Sequence, residues 1–162
     1  MIKLFITGGT IDKQYDTCSG ELRFPPSFIP ELLDEANCTL PISIETLMQK
    51  DSLQMTDDDR SQIEQACLNT SSKQIVITHG TDTLVDSALT LQNNIDLRGK
   101  VIVFTGAMRP FKLGHSDASF NIGSALMATQ LAKPGVWIAM NGQLFSANKV
   151  AKNRTLGQFE AV

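Results

Sequence analysis

Small hydroxyl-bearing and charged residues follow the apolar runs of this sequence, and glycines lie beside them. An early run leads into Gly8-Gly9-Thr10, and a later one leads into His79-Gly80-Thr81-Asp82. A threonine hydroxyl becomes a useful nucleophile when a neighbouring group removes its proton. A glycine next to it lets backbone N–H groups approach a small ligand closely. These residue types therefore indicate a site that binds or attacks a small polar molecule.

Further segments carry groups that would complete such a site. They are Asp51-Ser52, Gly106-Ala107-Met108-Arg109-Pro110 and Lys152. A lysine can act as a base when burial or a nearby cation lowers its pKa, and a carboxylate suits a substrate ammonium group. Each segment alone also has a structural interpretation, because Asp51-Ser52 could form a turn and Thr81 or Asp82 could cap a helix. Their occurrence together favours a functional site.

The elements that must position these residues are short apolar runs alternating with amphipathic stretches. The predicted strands are Lys3–Thr7, Ile42–Met48, Gln74–Thr78, Val101–Thr105 and Val136–Met140, and the predicted helices are Pro26–Ala36, Asp57–Asn69, Thr83–Asn93 and Asp117–Leu131. Strands that are almost continuously apolar are typical of a sheet covered on both faces. The alternation predicts an α/β fold with three layers, in which a mostly parallel, Rossmann/flavodoxin-like sheet carries helices on both faces. Ligands bind outside the carboxyl ends of such strands, so the candidate residues should share one edge.

Composition narrows the class of protein. The chain has 162 residues, of which 42% are hydrophobic, and a formal net charge of -3, so we expect a single globular domain over residues 1–162. It has no Lys/Arg run, which argues against nucleic acid, and no apolar stretch long enough to cross a membrane. Three cysteines without a CxxC pair favour reduced thiols and a cytoplasmic location. His79 and His115 lack metal-spaced partners, so we expect no metal ion. The polar loop over residues 10–26 is long enough to be a lid.

The motifs resemble those of the bacterial-type L-asparaginase (asparaginase/glutaminase) family. Thr7-Gly8-Gly9-Thr10-Ile11 and Thr78-His79-Gly80-Thr81-Asp82-Thr83 are similar to its two signature segments, and supporting similarity lies in Asp51-Ser52, in Thr105-Gly106-Ala107-Met108-Arg109-Pro110 followed by Asp117, and in Val150-Ala151-Lys152. The similar segments occur in the same order over almost the whole chain. The resemblance implies the N-terminal catalytic domain of that family, and we expect its usual C-terminal domain to be absent.

The resemblance implies an amidohydrolase that cleaves the side-chain amide of L-asparagine to L-aspartate and ammonia through a threonine acyl-enzyme. The implied catalytic residues are Thr10 as nucleophile, Tyr15 as the group that helps deprotonate it, and Thr81, Asp82 and Lys152 as a relay. The implied substrate-binding residues are Gly9, Asp51, Ser52, Gly80, Thr81, Asp82 and Ala107. We also expect a small-molecule substrate, a homo-oligomer in which a partner subunit covers the site, and no cofactor, since a hydroxyl nucleophile, a lysine base and an oxyanion pocket suffice.

Alternative functions stay open at this point. The pocket could be a non-catalytic module that binds asparagine or aspartate, or it could belong to an amidase for a different small amide. Leu53 follows Ser52, where periplasmic asparaginases place a substrate-contacting glutamine, which indicates either looser recognition of the α-amino acid or a different substrate. A nucleotide-binding domain is disfavoured, because Gly8-Gly9-Thr10 matches neither a GxGxxG motif nor a Walker loop. The sequence does not determine which threonine is acylated.

Overall fold

Ten strands and four α-helices follow one another along the computed structural model, which describes residues 1–162. The strands are β1 (Ile2–Gly8), β2 (Gln14–Asp16), β3 (Glu21–Arg23), β4 (Ile42–Lys50), β5 (Gln74–Thr78), β6 (Val101–Thr105), β7 (Gly135–Met140), β8 (Gln143–Ser146), β9 (Val150–Asn153) and β10 (Gln158–Ala161). The helices are α1 (Ile29–Glu35), α2 (Asp57–Asn69), α3 (Leu84–Gln92) and α4 (Ala118–Leu131). None of the helices is both long and apolar enough to cross a membrane.

Six of the strands form the central sheet, in the order β4-β1-β5-β6-β7-β8. All neighbouring pairs are parallel except β7 and β8, so the predicted mostly parallel sheet is confirmed. From β1 the chain passes to β4 on one side, and then crosses to β5 on the other side of β1. In doubly wound sheets, a ligand crevice opens at such a reversal of strand order, outside the carboxyl ends of the strands. The reversal therefore places the candidate site between the ends of β1 and β5.

Helices cover both faces of the sheet because its strands are apolar on both sides. On one face, Phe5 belongs to an apolar cluster that includes Leu84 of α3 and residues of α2. On the other face, Leu4 belongs to a separate cluster that includes Leu32 of α1 and Ile122 of α4. The predicted three-layer architecture is confirmed, and the central strands are fixed from both sides.

Local hydrogen bonds explain where the helices begin. The prediction for α2 is confirmed, because Thr56 and Asp59 exchange side-chain and backbone hydrogen bonds in a capping box. The prediction that α1 begins at Pro26 is wrong, since α1 begins at Ile29. Ser27 Oγ and the Phe28 N–H instead donate to the carboxylate of Asp12, at 2.7 Å and 3.0 Å. These residues therefore close the loop after β1 and are not part of α1.

Three elements are not predicted by the sequence analysis. They are the hairpin of β2 and β3 within the loop over residues 10–26, the antiparallel edge strand β8, and the hairpin of β9 and β10. Their strands contain three or four residues each, which is too short for a clear alternation of apolar and polar residues. The last of these hairpins matters most for function, because it carries Lys152.

Candidate active site

Two glycine-containing turns touch at the point where the strand order reverses. Gly9 has a φ of +86°, and a Cβ there would lie 2.4 Å from the backbone nitrogen of Gly80. A Cβ at Gly80 would in turn lie 2.6 Å from Oγ of Ser52. Because only glycine allows such close approaches, the turns after β1, β4 and β5 form one packed unit. Thr10 and Thr81 each directly follow one of the two touching glycines.

Thr81, Asp82 and Lys152 form a hydrogen-bonded cluster beside this unit. The ammonium of Lys152 donates to Thr81 Oγ1 at 2.8 Å and to Asp82 Oδ1 at 2.8 Å. Thr81 is only 5% exposed, and the Lys152 side chain is 12% exposed. A hydroxyl within hydrogen-bond distance of a lysine, which a carboxylate orients, is the arrangement that activation of a hydroxyl requires. The structure thus brings together three of the predicted catalytic residues from two distant segments of the chain.

The hairpin of β9 and β10 positions Lys152. Lys152 pairs with Phe159 across this hairpin, and Phe159 is 2% exposed and packed in the apolar core. The backbone N–H of Phe159 also donates to the side chain of Asn141 at 2.8 Å, which ties the hairpin to the turn after β7. These contacts fix the strand that directs Lys152 towards Thr81.

His79 stabilises the backbone next to Thr81 through buried hydrogen bonds. Its imidazole is buried and lies 2.8 Å from the carbonyl oxygen of Gly80 and 2.8 Å from Ser87 Oγ. Burial lowers the pKa of His79 to about 4, so the ring is neutral at physiological pH. Since a carbonyl only accepts, Nδ1 donates to Gly80 and Nε2 accepts from Ser87. His79 thereby orients the Gly80 peptide as a positioning residue.

The low pKa of His79 predicts that acid destabilises the fold. The unfolded chain takes up a proton on this residue near pH 6.5, whereas the folded protein does so only near pH 4. The free energy of unfolding should therefore fall by up to about 3 kcal/mol as the pH drops through this window. Urea denaturation at a series of pH values measures the slope, and His79→Gln should flatten it. His115→Gln removes an exposed imidazole and is the control. If the slope in His79→Gln is as steep as in the unmodified protein, the low pKa of His79 is not its cause.

Asp51 and Ser52 lie in the turn after β4, which packs against the turn after β5. Ser52 is 2% exposed, and its carbonyl oxygen accepts a hydrogen bond from Thr83 Oγ1 at 2.8 Å. The carboxylate of Asp51 forms an ion pair with Lys13. This hydrogen bond from Lys13 is the main cause that lowers the pKa of Asp51, with a smaller contribution from the charge of Lys152. Asp51 is therefore ionised and is paired outside the cluster around Thr81.

Thr10 and Tyr15 are placed differently from each other. Thr10 begins a short 3-10 turn, is half-buried, and makes no side-chain hydrogen bond within the chain. Tyr15 lies on β2 and is 51% exposed, without a hydrogen bond to Thr10. Thr10 therefore lies next to the contact between Gly9 and Gly80, whereas the Tyr15 hydroxyl forms no hydrogen bond there. The predicted partnership of these two residues requires the hairpin of β2 and β3 to move over the site.

Asp12 closes the base of this hairpin. The residue has no exposed surface, and burial raises the pKa of its carboxyl group. Through Ser27 and Phe28 it holds the two ends of the loop together.

The turn after β6 packs against the turn after β5, because a Cβ at Gly106 would lie 2.3 Å from the His79 carbonyl oxygen. Asp117 accepts hydrogen bonds from the backbone N–H groups of Met108 and Arg109, and the Arg109 guanidinium donates to the Gly114 carbonyl at 2.6 Å. Arg109 therefore stabilises the loop between β6 and α4. Ala107 has no exposed surface, so its predicted contact with substrate requires a movement of the residues that cover it.

Sequence reasoning misses two charged residues at the site. One is Lys13, which pairs with Asp51. The other is Arg154, whose guanidinium donates to Asp82 Oδ1 at 3.0 Å. Arg154 follows Lys152 by only two residues and begins the turn that joins β9 to β10. That spacing is the signal by which Arg154 could have been found. No group of three or more His, Cys, Asp or Glu side chains is arranged to hold a metal ion.

Comparison with known proteins shows the family of the chain. The profile of the family described as "Asparaginase, N-terminal" matches residues 1–161. The chain belongs to the asparaginase N-terminal domain family. A glutamyl-tRNA(Gln) amidotransferase subunit from Methanococcus vannielii is 32% identical over 155 residues, which cover 88% of this chain and 34% of that protein. The glutaminase-asparaginase of Acinetobacter glutaminasificans is 31% identical over 131 residues, which cover 76% of this chain and 38% of that protein.

Solved structures share the fold of this asparaginase-family domain. The thermostable L-asparaginase of Thermococcus kodakarensis superposes with a TM-score of 0.82 at 27% identity, covering 99% of this chain and 51% of that one. The probable cytoplasmic L-asparaginase of Campylobacter jejuni gives a TM-score of 0.85 at 27% identity, covering 99% of this chain and 52% of that one. The chain thus spans about a third of the length of the curated relatives and about half of these solved chains.

Proposed function

We propose that this asparaginase-family domain carries the catalytic residues of an amidohydrolase that converts L-asparagine to L-aspartate and ammonia. The observation that carries the proposal is the cluster of Thr81, Asp82 and Lys152, adjoining the contact between Gly9 and Gly80. This arrangement offers a hydroxyl paired with a charged relay, and a second hydroxyl, on Thr10, follows the other glycine of that contact. L-asparaginases are among the solved proteins that share the fold, which supports the same substrate class.

The proposed chemistry proceeds through an ester on Thr10. The Thr10 oxygen forms a bond to the side-chain amide carbon of the substrate, and the carbon–nitrogen bond then breaks. The hydroxyl proton passes to the departing nitrogen, which leaves as ammonia. Water next attacks the ester carbon, aspartate leaves, and Thr10 recovers its proton. Thr81 and Lys152 pass protons to and from the reacting atoms, and backbone N–H groups near Gly9 and Thr81 stabilise the negative charge on the carbonyl oxygen.

The substrate contacts follow from the same arrangement. Asp82 supplies a carboxylate for the α-ammonium group, and Ser52 supplies a hydroxyl for the α-carboxylate. Gly9 and Gly80 have no side chains, which lets their two turns touch directly beside Thr10 and Thr81. A hydroxyl nucleophile and a lysine relay are sufficient for this reaction class, so the proposal includes no cofactor.

The assembly and location of the protein are part of the same proposal. We propose that the protein is a cytoplasmic homo-oligomer, in which a second copy would cover the site around Thr81. The Campylobacter jejuni protein is described as probably cytoplasmic, whereas a Haemophilus influenzae relative is described as a probable periplasmic L-asparaginase. Fractionation of the source cells and light scattering of the purified protein test these two statements.

Ammonia release from L-asparagine tests the proposed activity. We expect equal amounts of ammonia and aspartate, and acid quenching should trap an aspartyl ester on the peptide that contains Thr10. Thr10→Val should abolish both signals, because the attacking oxygen is removed. If aspartate raises the melting temperature while no ammonia is released, the site binds the amino acid without turnover and the hydrolase proposal is contradicted.

A further inference from the structure

The carboxylate of Asp82 already has two cationic partners. Lys152 donates to Asp82 Oδ1 at 2.8 Å, and Arg154 donates to the same oxygen at 3.0 Å. A second guanidinium nitrogen of Arg154 lies 3.4 Å from the backbone oxygen of Asp82. Asp82, which is proposed to contact the α-ammonium group of the substrate, is thus one negative charge beside two positive charges.

The two cations differ in what else they touch. Lys152 is 12% exposed and also donates to Thr81, so it belongs to the proposed proton relay. Arg154 is 64% exposed, and Asp82 is its only hydrogen-bond partner. Arg154 can therefore be replaced without removing the contact between Lys152 and Thr81.

The positive charge of Arg154 affects the binding of different ligands unequally. A substrate ammonium that approaches Asp82 meets Arg154 as a like charge, which opposes its binding. A ligand that has a carboxylate but no ammonium is attracted by the same guanidinium. The nearby pair of Lys13 and Asp51 is neutral in sum and does not cancel this effect.

We infer that Arg154 is a specificity-determining residue that lowers the preference of the site for a free α-ammonium group. The substrate class then extends from L-asparagine to four-carbon ω-amides that carry a carboxylate and no amino group, such as succinamate. The inference rests on the proposed function, in which Asp82 faces the α-amino position of the substrate.

Binding of L-aspartate and succinate tests the inference, since the two ligands differ only in the amino group. In calorimetry, Arg154→Gln should tighten L-aspartate binding by about three- to tenfold and weaken succinate binding by a similar factor. Arg154→Lys keeps the charge and should give a smaller change for both ligands. Arg98→Gln removes the same charge at the opposite edge of the sheet and should change neither affinity.

The outcomes separate this inference from the hydrolase proposal. Opposite shifts for the two ligands support the role of Arg154, even in a protein that releases no ammonia. If Arg154→Gln weakens the binding of both ligands equally, the inference is overturned, because Arg154 would then only hold Asp82 in place. Ammonia release by the unmodified protein would still support the hydrolase proposal. Failure of the unmodified protein to bind either ligand also overturns it. In an active protein, the ratio of kcat/KM for L-asparagine to that for succinamate should rise in Arg154→Gln.

Discussion

Replacement of Thr81 by valine is expected to lower ammonia release from L-asparagine by about a thousandfold or more. Valine has nearly the same shape as threonine, so the packing of this 5% exposed residue should be preserved. The change removes the oxygen that lies 2.8 Å from the Lys152 ammonium, and with it the proposed path of the proton. Steady-state kinetics should show the loss in kcat, because a relay acts mainly after the substrate has bound.

Two comparisons make the Thr81→Val result specific. Thr90→Val deletes a hydroxyl on α3 that hydrogen bonds only to the Asp86 carbonyl, and it should leave kcat unchanged. Lys152→Met combined with Thr81→Val should be no slower than either single variant, because residues that act as a unit are not additive. Activity of Thr81→Val within about tenfold of the unmodified protein would contradict a catalytic role, since removal of a general base or acid costs more.

Substitution of alanine for Gly9 is expected to destabilise the fold by about 3 kcal/mol or more and to lower kcat by at least about a hundredfold. A Cβ at this position would lie 2.4 Å from the nitrogen and 2.5 Å from the Cα of Gly80. Both are backbone atoms, so no side chain can rotate away. The two turns would have to separate, which displaces Thr10 relative to Thr81. Urea denaturation and ammonia release measure the two effects.

Gly99 provides a matched control for the backbone conformation. Its φ is +95°, close to the +86° of Gly9, but a Cβ there would meet nothing within 4 Å. Gly99→Ala should therefore cost only the strain of a positive φ, about 1 kcal/mol, with unchanged kcat. If Gly9→Ala were no more harmful than Gly99→Ala, the close contact between the turns after β1 and β5 would not be essential to the site.

The sequence is sufficient to predict the sheet because its central strands are buried on both faces. Residues such as Ile75, Ile77 and Phe104 form nearly continuous apolar runs, and the polar residues that follow these runs are forced to one edge. The location of Gly9, Gly80 and Ser52 could therefore be anticipated. The reversal of strand order between β1 and β5, which gathers them, is visible only in the structure.

The remaining features depend on long-range contacts that leave little local signal. The hairpin that carries Lys152 and Arg154 is fixed by burial of Phe159 and by the side chain of Asn141, not by its own short strands. The later start of α1 depends on the buried carboxylate of Asp12. Because such contacts join distant segments, residue patterns within one segment do not reveal them.

A crystal structure of the protein with bound L-aspartate tests the central claim most directly, because this product places a carboxylate where the reacting amide would lie. The account predicts that the side-chain carboxylate of the ligand lies within about 3.5 Å of both Thr10 Oγ1 and Thr81 Oγ1, and that its amino group faces Asp82. Aspartate bound away from the turns after β1 and β5, or in contact with only one of the two threonines, would contradict the account.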